Sequence, residues 1–92
     1  MNISIKLLKP FSEAVDKNHF NFEFKGKTLD DLLDELILRY PRLKNELYSK
    51  KNELTEYVVI FVNDKPFSVL NGLKTKLKNN DEILFFIPVS GG

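Results

Sequence analysis

Two segments of this chain, Tyr57-Val-Val-Ile-Phe-Val62 and Glu82-Ile-Leu-Phe-Phe-Ile87, are apolar at both odd and even positions, and this constrains the fold more than any other feature. Their β-branched and aromatic residues favour strands. Successive residues of a strand point to opposite faces of its sheet. In the first segment Val58, Ile60 and Val62 share one face, and Tyr57, Val59 and Phe61 the other. In the second, Ile83, Phe85 and Ile87 oppose Leu84 and Phe86. Both faces of a sheet holding these strands therefore need apolar contact.

The chain offers one clear helix to supply it. Leu29, Leu32, Leu33, Leu36, Ile37 and Tyr40 recur at spacings of three and four and form a single apolar stripe. Thr28 is placed to accept the N–H of residue 31 as an N-cap. Asp30 and Asp31 fall in the first turn, where the helix dipole favours negative charge. Pro41 stops the helix at Tyr40. One such helix covers one face of a sheet.

Two further strands alternate more simply. Ile3, Ile5 and Leu7 point inward, with Leu8 on the opposite face, and Phe20-Asn21-Phe22-Glu23-Phe24 repeats the pattern before Gly26 lets the chain leave. Residues 9–19, with Pro10, Ser12, Asp16, Lys17 and Asn18, read as a loop. Residues 42–56 are polar, with room for a helical turn from Arg42 to Tyr48. Asn63-Asp64-Lys65-Pro66 reads as a turn, Phe67 to Val69 as a short strand, and Asn71-Gly72 as another turn. The asparagines of Asn79-Asn80-Asp81 tolerate left-handed backbone. The order β-β-α-β-(β)-β gives an α+β domain, a mixed sheet of about five strands with the main helix packed on one face.

The second face can be satisfied in two ways. Residues 42–56 are the only material available to bury it. Otherwise Phe61, Leu84 and Phe86, joined by Leu8, form an open apolar patch, which marks a docking surface for another protein. On the second reading Phe85 is buried and Phe86 substantially exposed.

Composition narrows the function. Ninety-two residues make one domain, placed at 1–88, with 89–92 as a flexible tail. A net charge of +1 gives no reason to expect nucleic acid. The absence of cysteine removes disulfides, thiolate nucleophiles and cysteine metal sites. No apolar run approaches the roughly 20 residues that span a bilayer, and the N-terminus carries no cleavable signal pattern. A cytoplasmic protein is expected, with no membrane partner. His19, the lone histidine, lies in the expected loop and is assigned no role. Asp30, Asp31, Asp34 and Glu35 are accounted for by the helix dipole and solvation, without a metal. Lys65, Lys74, Lys76 and Lys78 read as a solvated edge. With no phosphate-cradling loop and no nucleophile-base pair, the isolated chain is not expected to be an enzyme, and no bound cofactor is expected.

The sequence ends in Gly91-Gly92. A backbone without Cβ atoms passes through a channel too narrow for other residues. Such an end can carry its carboxylate into another protein's active site. A carboxylate is a poor electrophile until ATP converts it into an acyl adenylate. A sulfur nucleophile could then displace AMP and leave a thiocarboxylate on Gly92, with no cysteine needed on the carrier.

The segment Asp81-Glu-Ile-Leu-Phe-Phe-Ile-Pro-Val-Ser-Gly-Gly92 resembles the C-terminus of the small subunit of molybdopterin synthase, a ubiquitin-like sulfur carrier of the MoaD/ThiS kind. Val62-Asn63-Asp64-Lys65-Pro66 resembles that family's turn. Leu73-Lys-Thr-Lys-Leu77, the Ile-x-Ile-x-Leu strand and the Thr28-x-Leu-x-x-Leu-Leu helix fall where the family has them, with residues 42–56 as the gap. Ile87 stands where the family often has a first proline, and Asn79-Asn80-Asp81 replaces its usual Asp-Gly-Asp.

The resemblance implies a β-grasp fold and adenylation of Gly92 by an activating enzyme that uses ATP. It implies sulfur donation within a heterotetramer formed with the large synthase subunit. The tail-passage and docking residues are then Gly91, Leu8, Phe61, Pro66, Phe67, Leu84, Phe86, Pro88 and Val89. Carriers for tRNA thiolation or thiazole synthesis, and ubiquitin-like modifiers that join Gly92 to a target lysine, share the same activated end. A plain β-grasp binding module that ends in two glycines by accident is the remaining alternative.

Overall fold

Alternation in the first residues produces the expected strand: in the computed structural model, which describes residues 1–88, β1 runs Asn2–Leu7 with Ile3, Ile5 and Leu7 buried. The chain then forms a short helix, α1 (Phe11–Val15), where a loop is expected. Phe11 and Val15, one turn apart, both enter the core, and Asp16 closes the helix in the left-handed region at φ 65°. The second strand, β2 (His19–Glu23), begins one residue earlier than its alternation suggests and takes in His19. Phe24 lies beyond it, fully buried, with its N–H donated to the Met1 carbonyl at 2.7 Å.

Helix α2 (Leu29–Arg39) is the long one, and its stripe of Leu29, Leu32, Leu33 and Leu36 is buried. Its start is held from both sides. The Asp31 N–H donates to Thr28 Oγ1 at 3.2 Å, while Asp31 Oδ2 accepts from the N–H groups of Thr28 at 3.1 Å and Lys27 at 3.0 Å. Asp31 is thus half of a capping box as well as a first-turn acid. Gly26 is needed for closeness: a Cβ there would stand 2.5 Å from that of Asp31 and 2.8 Å from the Phe24 ring. A short helix, α3 (Leu43–Leu47), comes after Pro41 and buries Leu43 and Leu47.

Strands β3 (Val59–Val62), β4 (Lys65–Pro66) and β5 (Glu82–Phe86) complete the sheet. The turn between β3 and β4 is Asn63-Asp64, both at positive φ, so Lys65 and Pro66 belong to β4. Phe67–Val69, expected as a strand, is a 3-10 turn, because the sharp reversal has already used the residues able to pair. Asn80 adopts the left-handed conformation its residue type permits.

The sheet order is β2-β1-β5-β3-β4. β1 and β5 are parallel at its centre, and the other pairs are antiparallel. This is a β-grasp arrangement, with α2 packed on one face. The same core cluster takes in Phe11 and Val15 of α1 and Leu43 and Leu47 of α3. Residues 42–56 therefore supply the helix side of the sheet and do not cover the second face.

Candidate functional site

Strand register lays out the uncovered face row by row. Lys6 pairs with His19 on one side and Leu84 on the other; Leu84 pairs with Phe61, and Phe61 with Pro66. One row across the sheet is thus polar over β2 and β1 and apolar over β5, β3 and β4. Toward the C-terminal end of β5 the next row is apolar over β5 and β3. Phe86 pairs with Val59, and beside Phe86 the Leu8 N–H donates to the Phe85 carbonyl at 3.0 Å.

The Phe61 and Phe86 rings lie 5.5 Å apart at 54°, a favourable tilted contact. Phe61, Leu84 and Phe86 are half-buried, and Leu8 is 46% exposed. Their neighbours on the same strands, Ile60, Ile83 and Phe85, are buried. Phe85 is buried as expected, but Phe86, expected to be substantially exposed, is half-buried, since Phe61 shields one side of it. Ile87, expected to share the inner face, lies past the end of β5 and is 36% exposed.

Of the other expected docking residues, Pro66 sits at the rim of the patch in β4, and Pro88 is exposed just beyond β5. Phe67 is half-buried and packs against the core cluster, which sets it apart from Phe61 and Phe86. Val89, Gly91 and Gly92 lie outside the described residues. Val59 is the patch member that sequence reasoning left out of the site, although its shared parity with Phe61 was the signal that could have found it.

The polar half of the face is a shallow hollow of about 280 Å³ beside the patch, with Ser4, Lys6, His19, Asp64 and Glu82 around it. Ser4 Oγ and His19 Nε2 lie 3.1 Å apart in hydrogen-bond contact. This pair orients His19 across the strand boundary; among the described residues no acid hydrogen-bonds to His19 to make a relay. Among the described residues no cluster of side chains is suited to hold a metal ion, and no helix is long and apolar enough to cross a membrane.

The turns that aim β5 are tied together by side chains. Asn63 Nδ2 donates to Asp81 Oδ1 at 2.7 Å, and Asn63 Oδ1 accepts the Glu82 N–H at 2.8 Å. Asp81 Oδ2 accepts the Lys78 N–H at 2.8 Å. The Asn63 and Asp81 that carried the sequence resemblance thus fix where β5 starts, and β5 in turn fixes the direction in which the chain leaves at Pro88. Chemically, such a surface can hold a partner against the patch, close to where the chain leaves the sheet at Pro88.

The model of the ThiS family matches residues 5–92. No curated protein matches the chain. Among solved structures, small archaeal modifier protein 1 from Methanosarcina acetivorans is 32% identical, with a TM-score of 0.84, covering 99% of this chain and 96% of that one. Its counterpart from Haloferax volcanii is 25% identical, with a TM-score of 0.84 and full coverage of both chains, 100% of each. A putative molybdopterin converting factor subunit 1 from Pyrococcus furiosus is 22% identical, with a TM-score of 0.73, covering 97% of this chain and 99% of that one, and is alike in fold.

Proposed function

The chain belongs to the ThiS family of ubiquitin-like carriers, and on that premise we propose that it carries sulfur as a thiocarboxylate on Gly92 for the assembly of molybdopterin. The supporting observation is the placement of the open apolar patch. Leu8, Val59, Phe61, Leu84 and Phe86 surround the end of β5, from which residues 89–92 continue. A partner seated on the patch is beside Pro88, after which the tail it must receive follows in sequence.

The chemistry starts at the terminal carboxylate. One of its oxygens attacks the α-phosphorus of ATP held by a separate activating enzyme, and pyrophosphate leaves. Hydrosulfide, or a donor delivering sulfur at that level, then adds to the acyl carbon. AMP departs and the thiocarboxylate remains. Glycine at 91 and 92 keeps the path free of side chains. Pro88 sets the direction in which the chain leaves the sheet, Val89 joins it to the rest of the tail in sequence, and the apolar patch with Pro66 at its rim provides binding energy. The large synthase subunit would use the same patch to receive the charged carrier. ATP belongs to the activating enzyme, the chain itself holds no cofactor, and the work is done in the cytoplasm.

A second reading is favoured by the likeness to the Methanosarcina modifier protein. There the adenylate, or a thioester made from it, would pass Gly92 to a lysine amine and form an isopeptide bond. Both readings share the first step and part at the nucleophile. Incubation with an activating enzyme, ATP and sulfide, and then intact-mass measurement, is expected to give the oxygen-to-sulfur increase on Gly92. The charged carrier should then convert a pterin precursor in the presence of the large subunit. A carrier that charges but leaves the pterin unchanged, while lysine conjugates form, would establish the modifier reading. A chain unchanged by ATP and sulfide would overturn both.

A further inference from the structure

The helix side of the molecule holds a second apolar opening, on the far side of the sheet from the patch around Phe86. It lies between α2 and α3, a groove of about 500 Å³ lined by Asp34, Ile37, Leu38, Lys44, Tyr48 and Asn52. Leu38 is 82% exposed, the highest value for a large apolar side chain among the described residues. A leucine left so open at the lip of a groove adds nothing to the core. Ile37 and Tyr48 form the groove's half-buried apolar part.

Charge indicates what would fit. Asp30, Asp34 and Leu38 are spaced by four along α2 and so share one helical row. Neither aspartate has an ion-pair partner: among the described residues, the single ion pair joins the Met1 amine to Glu23. Lys44, on the opposite lip, comes within ion-pair distance of neither carboxylate. The Asp34 carboxyl is raised from its ordinary value, first by desolvation and then by the charges of Asp30 and Asp31. The Tyr48 hydroxyl is raised by burial and by Asp30 and Asp34. The groove thus has two carboxylates, Asp34 at its lip and Asp30 one turn before it, along one side of an apolar floor, facing the single Lys44 on the other.

We infer that the α2–α3 groove docks a protein segment in which a bulky apolar side chain is flanked by arginine or lysine. The apolar residue covers Leu38 and Ile37, and the cations meet Asp34 and Asp30. This surface is separate from the sheet face, so the carrier could be held by one protein while its tail is engaged by another. The inference does not rest on the sulfur-carrier reading.

The test is an amide NMR titration of the full chain with two blocked peptides that differ only in charge, one with leucine between arginines and the other with leucine between glutamates. The arginine peptide should shift the amides of Asp34, Ile37, Leu38, Lys44, Tyr48 and Asn52, more strongly at low salt because exposed charges are screened. The glutamate peptide should not. Leu38→Ser should weaken binding by about tenfold, in line with losing one apolar anchor. Asp34→Asn should weaken it severalfold and flatten the salt dependence, while Phe86→Asp should leave it unchanged. Leu38 and Asp34 lie outside the buried core, so neither variant should unfold the chain, and the amide spectrum reports this directly. Equal response to both peptides, shifts confined to the sheet face, or full binding by Leu38→Ser would each overturn the inference.

Discussion

On β3 and β5, residues one position apart have different surroundings. Ile60, Ile83 and Phe85 are sealed in a core shared with Leu32, Leu33 and Leu36 of α2, while Val59, Phe61, Leu84 and Phe86 on the same strands are half-open. Apart from Glu82 at the start of β5, both strands are apolar on both faces, so composition does not make the difference. What differs is supply: α1, α2 and α3 all pack on one side. A half-covered face that is nonetheless apolar has little to gain in stability from its side chains, because each loses only part of its surface to folding. Its apolar character is better explained by what it meets outside the chain.

On the proposed reading the two faces divide stability from delivery, and removing the delivered group should break that division most completely. Deleting Gly92, or adding one residue after it, is expected to abolish ATP-dependent thiocarboxylation in the mass assay while leaving thermal unfolding unchanged. An extended residue advances about 3.3–3.6 Å, whereas a displacement of about 1 Å at a reacting atom can cost a hundredfold in rate. Gly91→Val should fail for a different reason, since its branched side chain restricts the backbone and fills the passage. A Gly92 deletion that still gains sulfur at the normal rate would separate the patch from the tail.

The faces themselves come next. Phe85→Ala should cost about 3–5 kcal/mol in urea unfolding, the usual range for emptying a buried aromatic site. Phe86→Asp should cost about 1 kcal/mol or less, as half-open positions do. The same substitution should weaken binding to the activating enzyme by tenfold or more, because central interface aromatics carry a large share of binding energy. Equal losses of stability at 85 and 86 would erase the distinction between the faces.

Much of this division is legible in the sequence, for a specific reason. Strand parity is strict, so Ile60 and Phe61, or Phe85 and Phe86, must separate once one of them is inside. The helix stripe and its Thr28 cap are equally local and can be read directly. Features that depend on three-dimensional neighbours are harder to read. The helix Phe11–Val15 carries only two buried residues, with Ser12, Glu13 and Ala14 between them, too short a pattern to distinguish from a loop. Phe67 looks like a strand residue, yet the chain turns there because Asn63 and Asp64 have reversed it one step earlier. Ile87 keeps the inner parity, but β5 has already ended. In the site, the clustering of Phe61, Leu84 and Phe86 follows from parity. The same parity places Val59 with Phe61, and only its position opposite Phe86 depends on how β3 pairs with β5.

A smaller effect should appear where α2 is fastened over the inner face. Thr28→Ala removes the acceptor for the Asp31 N–H and should cost about 1 kcal/mol, typical of a lost N-cap. The loss should fall on the helix-covered side, so amide exchange should quicken in α2 while the activating enzyme binds as before. Weakened binding would mean that the open face depends on the helix cap.

The smallest expected effect is one of pH, and its sign differs between two neighbouring aspartates. The Asp31 carboxylate accepts from the Lys27 N–H and then from Thr28, and these bonds hold its pKa below the ordinary 3.8. A native value below the unfolded one contributes stability that is complete above 3.8 and is lost as pH falls through the lowered native value. Asp34 has the opposite character. Partial burial, then Asp30 and Asp31, raise it above 3.8, so its contribution is most favourable below that value and is lost as pH rises through the raised one. Asp31→Asn should therefore be less stable than wild type at neutral pH, with the gap closing on acidification below 3.8. Asp34→Asn should be slightly more stable than wild type at neutral pH, and that gap should also close in acid. Urea unfolding of the three proteins from neutral to acid pH measures both gaps. Because α2 covers only the inner face, Asp31→Asn should leave the half-open exposure of Phe86 and the binding it supports unchanged. A pH-independent gap for Asp31→Asn would mean that the cap works through shape alone, with no contribution from the carboxylate charge.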